Sequence, residues 1–142
     1  MSVKNNILNF PIGSYASPGD VQKWMIQLNV IVALECPKSG VSKIINDDGT
    51  ISEYPVVEEP VYPDEDEPDF EALKIQYSTA VRRYSDWRDT FLQEKRQMVA
   101  LIKRHLGQDS LNRIRATIAG NIAINGDDPK GLLQQVYTTH NT

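Results

Sequence analysis

The sequence predicts a mostly α protein: a helical bundle with one long helix at about 69–106 and an acidic, proline-rich extended segment before it. Three observations predict this. Apolar residues keep a seven-residue repeat from Phe70 to His105, with no Pro or Gly until Gly107. Residues 20–34 carry apolar side chains at helical spacing almost all the way round. Between these stretches, four of the eight prolines fall at Pro55–Pro68, interleaved with Glu58, Glu59, Asp64, Glu65, Asp66 and Glu67. Such sequence is extended, because it has little apolar area to offset its ordering entropy.

The chain of 142 residues is read as one domain, 1–142, with 38–68 as an extended connector or small hairpin within it. Phe10-Pro11-Ile12-Gly13-Ser14-Tyr15 has the residues of a loop, with Phe10, Ile12 and Tyr15 as candidate anchors. Asp20 opens the first helix, with Val21, Trp24, Met25, Leu28 and Val32 on one face and Ile26, Val30, Ile31, Ala33 and Leu34 on the other. A helix of this kind is central or meets a partner on its second face. Pro37 ends it. Asn46-Asp47-Asp48-Gly49 is a turn, read as the tip of a hairpin between Val41–Ile45 and Thr50–Tyr54.

Asp69 is the expected N-cap of the long helix. One column of its repeat is Phe70, Tyr77, Tyr84, Phe91, Met98 and His105, and the other is Leu73, Ala80, Trp87, Glu94 and Leu101. Gly107 fits its C-cap. About 37 residues would span about 55 Å, beyond the usual globular helix, which marks Asp86–Asp89 as a candidate break. Leu111, Ile114, Ile118 and Ile122 mark one short helix. Asp128 and Pro129 start another, carrying Leu132, Leu133, Val136 and Tyr137, and the tail from Thr138 has no apolar anchor. The expected core is Trp24, Met25, Leu28, Val32, Leu73, Tyr77, Tyr84, Trp87, Phe91, Leu101, Ile102, Leu111, Ile114, Leu133 and Val136. The stripe is either the seam of an antiparallel bundle or an intermolecular coiled coil. Its large aromatic residues favour the bundle.

The net charge of −4 divides unevenly: +2 over residues 1–46, −11 over 47–71 and +5 over 72–142. An acidic strip therefore joins two basic parts, and its place relative to the basic half decides what the average means. Arg82, Arg83, Lys95, Arg96, Lys103 and Arg104 form neighbouring pairs along the long helix, a candidate weak nucleic-acid contact weighed against an ordinary solvated face. The mean hydropathy of −0.42 and the lack of an apolar run of about 18 residues leave no membrane span. Residues 1–6 have no apolar h-region, so they are not read as a secretory signal. The single Cys36 excludes an internal disulfide framework and points to a reducing, intracellular setting.

Catalysis finds little support. His105 lies in the apolar column near a helix end, which suits a structural or dipole role. His140 lies in the tail, and Cys36 has no neighbouring His or Arg to activate it. The acidic run lacks the glycine and ligand spacing of a calcium loop, and no phosphate-binding glycine motif occurs. No enzyme activity, cofactor or metal is expected.

Phe10, Gly13 and Tyr15, then Trp24-Met25, then Gln97–Leu106 with Asp109-Ser110-Leu111, and finally Leu132-Leu133-Gln134-Gln135-Val136-Tyr137, come in an order that resembles the Gag capsid amino-terminal region of copia-type long-terminal-repeat retrotransposons. The sequence has neither the zinc knuckle nor the D-[ST]-G protease motif of longer Gag-type chains. The resemblance implies a capsid domain alone, a structural protein that self-assembles into a virus-like particle without catalysis. Read from the residues, the partners are a second copy or another protein, with a helical adaptor or coiled-coil interaction module as the alternative. A structural component of an unrelated virus or phage is a third reading.

Overall fold

The computed structural model describes residues 18–140. The loop anchors Phe10, Ile12, Gly13 and Tyr15 lie outside them. The described chain is mostly helical: α1 (Pro18–Glu35), α2 (Phe70–Arg104), α3 (Gln108–Arg115), α4 (Ile118–Asn125) and α5 (Pro129–His140), with a single 3-10 turn at Val41–Ile44. No helix among these residues is long and apolar enough to cross a membrane.

The first helix buries the predicted face. Val21, Trp24, Met25, Leu28 and Val32 are all enclosed, while Ile26, Val30 and Leu34 stay exposed on the opposite side. The indole N–H of Trp24 donates to the His105 carbonyl at 2.9 Å, joining α1 to the far end of α2. Cys36 follows the helix, its N–H on the Val32 carbonyl, and is buried.

The expected hairpin is replaced by tighter packing. Val41 and Ile44 are both buried, three residues apart, which suits a 3-10 turn and not the alternation of a strand. One antiparallel bridge, Ile45 with Ile51, remains beyond it. The Asn46–Gly49 turn closes that bridge: the Asn46 N–H meets the Thr50 carbonyl at 2.8 Å, and Gly49 takes a φ of 85° that a side chain would resist. The hydroxyl of Tyr137 donates to the Gly49 carbonyl at 2.6 Å, so the turn is fastened to α5.

The long helix is unbroken through Asp86–Asp89, and its 35 residues span about 52 Å. Asp69 occupies the N-cap position, but its side chain makes no capping bond. The C-cap is His105, in place of the expected Gly107. His105 ends the helix at φ −96° and ψ 9°, which needs no left-handed residue, and Gly107 instead stands extended before α3.

Residues 108–125, expected to hold one short helix, hold two. Thr117 breaks them in an extended conformation, and its hydroxyl accepts the Gly120 N–H at 2.9 Å as the N-cap of α4. The break sets a new register. Ile114 and Ile124 become buried, whereas Ile118 and Ile122 turn outward. A Cβ on Gly120 would sit 1.9 Å from the Ile114 carbonyl, so only glycine allows α4 to leave α3 this closely. The last helix begins at Pro129, as the sequence predicts, and the Leu132 N–H bonds the Asp128 carbonyl. It also absorbs the supposed tail: Thr139 and His140 are buried on it, and the Arg113 guanidinium donates to the Thr139 carbonyl.

The core gathers α1, the 3-10 turn, the C-terminal part of α2 and the three short helices. Trp24, Met25, Leu28, Val32, Leu101, Ile102, Ile114, Leu133 and Val136 lie in it as expected, joined by Ile44, Met98, Val99, Ile124 and Leu132. Phe91 and Leu111 pack on its edge. Leu73, Tyr77, Tyr84 and Trp87 do not belong to it and are only half-buried. The cause is length. An 18-residue α1 reaches about 27 Å and a 12-residue α5 about 18 Å, so neither can cover α2 from end to end.

Candidate interaction surface

From Phe70 to Gln93 no residue of α2 is buried; the first is Glu94. About six turns of helix therefore stand beyond the bundle as an arm. This arm nonetheless carries Phe70, Tyr77, Tyr84, Trp87 and Phe91, most of the large rings in the described chain.

Its root is held by polar bonds across long sequence distances. The Glu94 carboxylate, 4% exposed, accepts the backbone N–H groups of Lys38 and Ser39 at 3.1 and 2.6 Å. These are donors that the chain reversal after α1 would otherwise leave unmade. The Trp87 indole donates to the Ser39 carbonyl at 3.0 Å, and its ring stacks on Phe91 at 5.0 Å. The Cys36 thiol lies beside the Glu94 carbonyl, and burial, with Glu94 and Glu35 nearby, pushes it up to about 11. At neutral pH the thiol therefore stays protonated within the packing.

The acidic strip runs from this root along the arm. Tyr54 anchors its start: the ring stands edge-on to Phe91 at 5.7 Å, the hydroxyl donates to Asp128, and it accepts the Lys130 N–H at 3.0 Å. Burial and the Asp128 carboxylate hold that hydroxyl well above the usual tyrosine range. Lys130 also pairs with Glu53. Further along, Tyr62 stands edge-on to both Phe70 and Tyr77, at 6.0 and 5.3 Å. The strip then turns into α2 through the Asp64 side chain, which accepts the Asp66 N–H at 3.0 Å.

Two grooves flank the place where the strip crosses the arm at Pro60 and Tyr84. The larger, about 640 Å³, is lined by Val57, Pro60, Ile75, Ala80, Tyr84 and Trp87 together with Glu58 and Arg83. The smaller, about 190 Å³, has Val81 and Tyr84 between Glu59 and Arg88. Each groove thus combines an apolar lining with a carboxylate from the strip and an arginine from the helix.

Those charges are not joined in ion pairs. The ion pairs among the described residues are Lys74–Glu71, Arg96–Asp127 and Lys130–Glu53. No carboxylate from Glu58 to Asp69 takes part. Rings hold the strip in place, leaving its acids in solvent.

The basic residues singled out in the sequence do not form one surface. Lys95 lies over the Tyr54 and Phe91 rings, at 5.4 and 5.2 Å. Arg96 pairs with Asp127 at 3.3 Å, and Lys103 donates to the Ile124 carbonyl at 3.2 Å. Arg82 and Arg83 remain side by side and exposed on the arm. Arg104 is exposed about 30 Å further along the helix. Sequence reasoning pointed to most of these side chains, and to Tyr62 with Val56, Val57 and Val61 as residues that could pin the strip to a surface, but not to Glu94's role nor to Tyr54 as the strip's first fastening.

His105 is buried in the end of α2, with Nδ1 2.8 Å from the Leu101 carbonyl. His140 is buried on α5, its Nδ1 2.8 Å from the Thr139 hydroxyl. No group of three or more His, Cys, Asp or Glu among the described residues could hold a metal ion. No family model, curated protein or solved structure matches the chain.

Proposed function

We propose that the chain is a non-enzymatic structural domain that self-associates, and that the arm of α2 with its acidic strip is the surface it uses. One observation carries the reading. Six turns of helix bear five aromatic rings that are only half-buried, of which Phe91 alone packs on the core, and Ile75 beside them is 71% exposed. Monomers rarely keep apolar surface arranged along an element that the bundle does not need. The capsid-like, Gag-like order of motifs points to the same class of function, as an intracellular assembly domain. Sedimentation over a wide range of protein and salt concentrations tests it. Mass rising above the monomer with concentration supports self-association, and a monomer under every condition overturns it.

A helical adaptor for another protein is the second reading. The solvent-facing carboxylates of the strip favour it, since they offer a docking line for a basic partner. In that case the isolated chain stays monomeric and the arm is covered only in the complex. Weak nucleic-acid contact would be confined to Arg82 and Arg83 and to the distant Arg104, because Lys95, Arg96 and Lys103 are engaged within the fold.

A further inference from the structure

The arm has a charge order along its axis that makes it complementary to itself. Its tip, from Asp64 to Glu71, holds Asp64, Glu65, Asp66, Glu67, Asp69 and Glu71, with no basic residue. Its middle holds Arg82 and Arg83, both exposed and outside the ion pairs among the described residues. Asp69 and Arg83 are 14 residues apart, about 21 Å along the helix. The midpoint falls next to Ile75. Glu71, Ile75, Ser78 and Arg82 follow one another at steps of four, three and four residues, so they share a single stripe of the helix. All four are exposed.

We infer that the occupant of this stripe is a second copy of the chain, lying antiparallel, with the acidic tip of each arm on Arg82 and Arg83 of the other. This rests on the self-association reading above and specifies its interface. A two-fold axis near Ile75 brings both tips onto both arginine pairs at once, which is what an isologous contact requires. The two Ile75 side chains meet close to that axis and supply its apolar centre. A parallel arrangement would instead set acid against acid and arginine against arginine. The strip is essential to the pairing: fastened by Tyr62 to Phe70 and Tyr77, it holds the acids of residues 64–67 against the start of α2.

Charge reversal in two complementary variants tests this. One is Arg82→Glu with Arg83→Glu, and the other is Glu65→Lys with Asp66→Lys and Glu67→Lys. All five positions are exposed, so circular dichroism should show the wild-type helix content in both. Each variant alone should self-associate about tenfold or more weakly than wild type, because each places like charges together. An equimolar mixture should recover wild-type affinity, since every tip then faces a middle of opposite sign. Wild-type association that neither variant weakens overturns this interface while leaving self-association standing. Variants that weaken but do not recover on mixing overturn the antiparallel pairing. A wild type that is monomeric throughout overturns both this inference and the reading on which it rests.

Discussion

The two halves of α2 belong to one unbroken helix with one seven-residue repeat, yet they meet different surroundings. From Glu94 onward, Met98, Val99, Leu101 and Ile102 are enclosed by α1 and the short helices. Before Glu94 the same repeat presents Tyr77, Tyr84 and Trp87 to a single extended strip and to solvent. The difference teaches that a heptad stripe specifies a face, not its partner. Which neighbour covers a turn depends on how far the neighbouring helices reach. Here they stop near Phe91.

Perturbing the bundle half should have the largest effect. Trp24 is 1% exposed and spans α1 to the end of α2 through the His105 carbonyl. Trp24→Ala should cost about 3–5 kcal/mol by denaturant unfolding, from the cavity and the lost bond together. At the junction, Glu94→Ala leaves the Lys38 and Ser39 N–H groups unmade and should cost about 1–3 kcal/mol. Glu94→Gln keeps one acceptor oxygen and should lose less. If both variants unfold like wild type, the junction is not what joins arm to bundle.

The halves should also separate by pH. Burial depresses the His140 pKa below its ordinary value. The unfolded chain then binds a proton that the folded chain resists, so stability should fall as pH drops below about 6.5. His140→Gln should flatten that slope. Cys36 gives the opposite limb. Its thiol stays protonated in the fold up to about 11 against 9.0 ordinarily, so stability should decline as pH rises between those values. Variants of the arm should leave both slopes alone. The smallest effect belongs to the arm: Ile75→Ser should change unfolding by no more than about 0.5 kcal/mol, because the side chain is already largely in water. The same change should measurably weaken self-association.

Much of the bundle was legible because its signals are local. The face of α1 follows from the spacing of Val21 to Val32, and Asp128-Pro129 marks the start of α5 without tertiary help. Glu94 was visible as a charge in an apolar column, but its partners lie 55 and 56 residues away, and no spacing rule links them. The division of α3 from α4 turned on Thr117 and Gly120, where a hydroxyl cap and a close backbone approach outweigh the isoleucine pattern. The arm itself was not legible. Its aromatic residues have the spacing of a core, and only the lengths of α1 and α5 together leave them outside it.

Hydrogen exchange along α2, measured at low and at high protein concentration, tests the central claim most directly. Amides of 94–104 should be strongly protected at both concentrations, and those of 70–88 weakly protected when dilute and slower to exchange when concentrated. Arm amides as protected as the bundle amides in dilute solution, or unchanged across the concentration range, would contradict it.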